Sequence, residues 1–230
     1  MRNTSLTPWI ALLATTTGFS LAGCRGESTP SPQGSDTSTA KAQRWRCGDT
    51  LLETRLEGER LRLRLPGGDH LLEPERSASG ARYGNAADMQ FWSKGDDNAL
   101  FRAGHGRAER ECAPTDQRSP WIAAAEGPVD LRAAGNEPGW TLEAHDDGSV
   151  QLALGYGERS IGFDARSRLD HGAAGFEAIN DEHRLHVAID TRGGCIDSMS
   201  GTRFPLTVSV ALDDEKPLSG CGRRYGDRSD

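Results

Sequence analysis

Two short pieces of this chain carry side chains that could do chemistry. One is Ser77-Ala78-Ser79-Gly80-Ala81-Arg82-Tyr83; the other is Phe91-Trp92-Ser93-Lys94-Gly95. A serine hydroxyl both donates and accepts a hydrogen bond, and a lysine ammonium offers three donors and a full positive charge. Each stands beside a glycine, the residue that lets a backbone turn tightly. A hydroxyl and a cation on neighbouring turns suit an acidic surface with carboxyl groups to satisfy. Taken alone, Lys94 would be a solvated turn lysine and Ser79 a turn residue. Tyr83 and Trp92 alone would read as core.

Elements must hold these turns in place, and the chain between Cys47 and Cys112 reads as short strands. Thr50 to Leu56 is one, and Glu57-Gly58-Glu59 reverses it. Leu61-Arg62-Leu63-Arg64-Leu65 alternates strictly, the pattern of a half-buried strand. After the turn at Pro66-Gly67-Gly68-Asp69 an apolar segment resumes at His70–Glu73. Ala81–Tyr83 and Met89–Trp92 form a hairpin, and Ala99–Phe101 and Glu109–Cys112 complete the set. Short strands at even spacing predict an antiparallel barrel or sandwich whose terminal strands meet.

With these strands in view, the two pieces resemble the membrane-bound inhibitors of c-type lysozyme, marked by Ser-Gly-x-x-Tyr followed by Trp-x-Lys-Gly. Here the pattern is Ser79-Gly80-Ala81-Arg82-Tyr83 and Trp92-Ser93-Lys94-Gly95. The resemblance spans about residues 44–116. It implies a protein that binds lysozyme rather than an enzyme, with no cofactor, no metal and no catalytic residue of its own. It assigns the inhibitory contact to Ser79 and Lys94, with Tyr83 and Trp92 lining it. The implied partner is c-type lysozyme, and the implied role is protection of peptidoglycan.

The beginning of the chain fits an exported protein. Arg2 precedes an apolar stretch from Trp9 to Leu21, and Leu21-Ala22-Gly23-Cys24 follows. The stretch is too short and mixed for a membrane-spanning helix. It resembles a bacterial lipoprotein signal over residues 1–23, with acylation (palmitate included) at Cys24. Arg25 after the anchor points to the outer membrane, facing the periplasm. Residues 24–43 are rich in Ser, Thr and Pro, the composition of a flexible tether.

Apart from Cys24, four cysteines remain, and four allow three pairings. In an oxidising compartment the simplest set follows chain order, Cys47–Cys112 and Cys195–Cys221. No C-x-x-C pair suggests zinc.

Residues 117–230 read as a second β domain. Trp121–Ala125 is a short helix or a docking strand. Strands are expected at Trp140–Glu143, Val150–Leu154, Leu185–Ile189 and Pro205–Leu212. Gly135-Asn136-Glu137-Pro138-Gly139-Trp140, Cys195–Pro205 and Gly220-Cys221 resemble a widespread family of exported bacterial proteins, a likeness that implies no particular function. His183-x-x-His186 lies on a strand-like pattern that would send the rings to opposite faces, against a metal pair. Asp197 and Ser198 read as turn residues beside Cys195. The serines lack a nucleophile elbow, so a hydrolase in this half is a remote reading.

The expected architecture is therefore all-β, two small antiparallel barrel or sandwich domains in tandem after the signal and tether. The 230 residues carry a formal charge of −7, against nucleic acid as a partner. Residues 44–116 hold 12 Lys and Arg against 13 Asp and Glu, whereas residues 120–230 hold 11 against 19. A different class of function also fits: an envelope binding or structural lipoprotein whose second half recognises an unknown ligand, without lysozyme inhibition. Inhibition by the first domain separates the two readings.

Overall fold

The computed structural model describes residues 41–225. The signal, the Cys24 anchor and most of the tether lie outside these described residues. The described part is all-β, with one short α-helix.

The first eight strands close on themselves. They are β1 (Gln43–Cys47), β2 (Thr50–Glu57), β3 (Arg60–Leu65), β4 (Gly68–Glu75), β5 (Ala81–Gly84), β6 (Met89–Ser93), β7 (Ala99–Ala103) and β8 (Arg110–Pro114). Each pairs antiparallel with the next, and β8 returns to β1. Closure removes both sheet edges, which would otherwise expose unpaired backbone groups.

The alternating sequence explains which side chains fill the barrel. In β3, Leu61, Leu63 and Leu65 are buried while Arg60, Arg62 and Arg64 point outward. Trp45, Leu52, Leu72, Met89, Phe91 and Phe101 join those leucines inside. Trp45 meets Phe91 edge to face at 5.5 Å and donates its indole N–H to Thr54 Oγ1 at 2.9 Å. Cys47 and Cys112 are direct partners across β1 and β8 and are disulfide-bonded, so the bond staples the seam where the barrel closes.

Helix α1 (Pro120–Glu126) comes next, the helical alternative for Trp121–Ala125. Proline at its first turn fits a position that needs no backbone donor.

The remaining chain forms a nine-stranded antiparallel sheet. In chain order its strands are β9 (Val129–Asn136), β10 (Gly139–His145), β11 (Val150–Leu154), β12 (Arg159–Phe163), β13 (Arg168–Asp170), β14 (Gly175–Ile179) and β15 (Arg184–Asp190). A separate two-stranded ribbon, β16 (Cys195–Ile196) with β17 (Arg203–Phe204), interrupts it. The sheet resumes with β18 (Leu206–Leu212) and β19 (Leu218–Arg224). The order across it is β12-β11-β10-β9-β19-β18-β15-β14-β13. It curls until its two ends approach: Asn180, just past β14, donates to the Gly162 carbonyl of β12 at 2.9 Å, and Arg159 lies 2.9 Å from His183. Leu142, Val150, Leu152, Phe176, Leu185 and Val208 fill the enclosed space. A disulfide joins Cys195 in the ribbon to Cys221 in β19. Both bonds of the chain-order pairing are thus formed.

Two strands here carry little β signal. In β9 and β19, Gly135 and Gly220 flank the indole of Trp140 on β10. A Cβ on Gly135 would collide with that ring, and one on Gly220 would stand 2.8 Å from it. The glycines are the seat of the tryptophan.

Candidate functional site

The barrel has two ends, and the path of its strands fixes which turns share one. β4 ends and β5 begins at the end that carries Ser79; β6 ends and β7 begins at the same end, with Lys94 between them. The opposite end holds the β3–β4 turn, the β5–β6 turn and the segment from Gly104 to Arg110.

Register brings the two turns side by side. Ala81 pairs with Ser93 across β5 and β6, so Gly80 and Ser79 continue beside Lys94 and Gly95. Gly80 has φ +67°, and a Cβ there would collide with the Ser93 carbonyl. Only glycine lets this turn lie flat against its neighbour. Ser77 Oγ donates to the Gly80 carbonyl at 2.9 Å, closing the turn from the other side. The second turn is closed by Lys94 N–H donating to the Asn98 carbonyl at 2.8 Å, and Gly95 takes φ +91°.

Trp92 joins the two turns. Its indole N–H donates to the Ser79 carbonyl at 2.8 Å, and the Lys94 ammonium stands 4.3 Å from its ring centroid. One half-buried side chain thus fixes the serine turn through its edge and the lysine through its face. Ser79 and Lys94 are themselves exposed. Among the described residues, neither the Ser79 hydroxyl nor the Lys94 ammonium has a hydrogen-bond or carboxylate partner. Asp96 and Asp97 are exposed on the lysine turn. Glu57, the last residue of β2 at the same end of the barrel, is held at a pKa of about 2 by Arg62 and then Arg55. Tyr83 is half-buried and packs against the barrel core.

The bridging role of Trp92 is legible only in part. Met89-Gln90-Phe91-Trp92 alternates, so Trp92 falls on the outward face while Met89 and Phe91 are buried. That pattern excludes it from the core but does not say which groups it holds.

The other clusters resolve into structural roles. Asp197 accepts from Ser200 N–H and Oγ, both at 2.7 Å, and from the Asn136 amide at 2.8 Å. Burial works against its charge, yet these donors win and hold its pKa below the usual value. It is a turn residue, as expected beside Cys195. His183 sits 2.9 Å from Asp213, and His186 sits 3.5 Å from Glu177, so the two histidines have different partners. Among the described residues, no group of three metal-ligating side chains comes together.

A closed, disulfide-stapled β-barrel that holds a cation and a hydroxyl out on paired turns defines a small scaffold able to donate to carboxylates. Residues 45–109 match the family model described as membrane-bound lysozyme-inhibitor of c-type lysozyme. The match begins in β1 and ends just before β8, and it contains both turns. Searches of curated proteins and of solved structures gave no match to the chain.

Proposed function

We propose that this protein inhibits c-type lysozyme by inserting the Ser79 and Lys94 turns into the enzyme's active-site cleft. It is a binding protein, tethered through acylated Cys24 to the outer membrane and facing the periplasm, where it protects peptidoglycan.

The chemistry follows from the target. Lysozyme is a retaining glycosidase whose two catalytic carboxyl groups lie about 5 Å apart. One remains protonated in an apolar setting and the other is ionised. The Lys94 ammonium suits the ionised group. The Ser79 hydroxyl, able to donate or accept, suits the other in either state. No bond in the inhibitor is placed for cleavage, because the enzyme's chemistry acts on an acetal carbon that a protein turn lacks.

The observation that carries this reading is the Trp92 bridge, which holds both turns together at one end of a barrel that matches the inhibitor family. Holding them before contact lowers the ordering cost of association. Competition tests it. A chito-oligosaccharide that fills the lysozyme cleft should displace the protein from immobilised enzyme. Undiminished binding at saturating oligosaccharide would move the contact away from the cleft.

A further inference from the structure

The end of the barrel opposite Ser79 and Lys94 holds a cavity of about 510 Å³. The loop of the β16–β17 ribbon, Ser200–Thr202, lines it together with Arg203 and Phe204 of β17. Arg110 ties the two parts together, donating to Thr50 Oγ1 on β2 at 3.0 Å and to the Ser200 carbonyl on the loop at 3.3 Å.

The lining is unusual for so acidic a chain. It includes Arg107, Arg110, Arg203, His70 and His105, and no aspartate or glutamate. Among the described residues, none of the three arginines has a carboxylate partner. Two of them converge: a Cβ built on Gly201 would lie 3.6 Å from Arg107 Nη1 and 3.9 Å from Arg110 Nη2. Two cations facing the same glycine, one exposed and one half-buried, form a place where an anion between them would gain charge-assisted hydrogen bonds. Beyond the arginines the wall turns apolar, with Leu65, Met89, Phe101 and Phe204. The volume is that of an ordinary small-ligand site.

We propose that this cavity binds a single-chain anionic amphiphile, its carboxylate or phosphate head on Arg107 and Arg110 and its apolar body against Met89, Phe101 and Phe204. Gly67 lets the Arg203 backbone pack against the β3–β4 turn, since a Cβ there would collide with the Arg203 carbonyl. The site is independent of lysozyme inhibition, because it lies at the other end of the barrel.

Calorimetric titration of the purified protein tests it, with sodium decanoate and decyl phosphate as probes below their micellar concentrations and 1-decanol as the neutral control. At least one anionic probe should bind saturably at one site per chain, and the tighter of the two names the head group. Decanol should bind about tenfold more weakly or worse, the scale of a lost charge-assisted contact. Arg107→Gln should weaken the anion by a similar factor. Arg107 is exposed and, among the described residues, its side chain bonds to no other, so this change leaves the fold intact, and lysozyme inhibition by the variant should be unaltered. Absence of saturable binding by both anions, equal binding of decanol, or undiminished binding by both Arg107→Gln and the Arg107→Gln/Arg110→Gln double variant would overturn the assignment.

Discussion

At the residue scale, Lys94 and Trp92 carry separable burdens. If Lys94 meets an ionised carboxylate on docking, the pair's net gain is small, because both charges lose hydration. Truncation is a different matter, since it leaves the enzyme's carboxylate dry and alone. Lys94→Ala should therefore weaken inhibition by about tenfold or more, while unfolding in urea changes little for an exposed turn residue. Trp92→Phe keeps a ring under the ammonium but deletes the donor to Ser79. It should weaken inhibition less than Lys94→Ala, and it should speed amide exchange in the Ser77–Gly80 turn. Equal exchange in the variant would mean that Ser77 alone closes that turn.

At the scale of elements, strands differ in how plainly the sequence marks them, and the reasons are physical. β3 and β11 are legible because strict alternation or branched apolar residues mark a strand with one buried face. β9 and β19 escape such a reading because each runs through a stretch of small residues, Ala133-Ala134-Gly135 and Ser219-Gly220-Cys221-Gly222, that breaks the apolar alternation. Within those stretches Gly135 and Gly220 admit the ring of Trp140, a partner on a different strand. The Ser79 and Lys94 turns are legible because glycines and a family pattern mark them. The arginine cavity is not, since Arg107, Arg110 and Arg203 meet only after the barrel and the ribbon come together. At this scale two stability changes are expected. Gly80→Ala forces a Cβ into the Ser93 carbonyl at a positive φ and should cost about 1–3 kcal/mol in urea unfolding. Removing the Cys47–Cys112 bond by a double alanine change opens a loop of 65 residues, for which chain entropy gives about 4 kcal/mol.

Across the whole molecule, a charge network binds the barrel to α1 and the second sheet. Glu53 is only 5% exposed, yet it sits within 3.6 Å of Arg44, Arg64 and Arg118. Arg64 and Arg118 also pair with Glu126 at the end of α1. On β19, Arg223 reaches Asp69 and the Leu65 carbonyl, each at 3.3 Å. These contacts lie along the wall and the far end of the barrel, and none of them uses Ser79 or Lys94. Acid should loosen the assembly in two stages. Burial holds His70 below its ordinary pKa of 6.5, with Arg223 acting in the same direction and Asp69 opposing. The unfolded chain therefore binds this proton first, and stability declines as pH falls below about 6.5. Glu57 and Asp190 are held at about 2 by neighbouring arginines, so their contribution is present above about 4.5 and is lost as pH falls toward 2. In thermal melts across this range, His70→Asn should abolish the first decline and leave the second.

The central claim is that one cation on a paired turn reaches the catalytic carboxylates of another protein. Residual lysozyme activity, followed at rising molar ratios of the wild-type chain and of Lys94→Ala, tests it most directly. The account predicts inhibition by the wild type that saturates near one inhibitor per enzyme, and a curve for Lys94→Ala displaced by about tenfold or more. Full lysozyme activity at a large excess of the wild type, or superimposable curves for the two proteins, would contradict it.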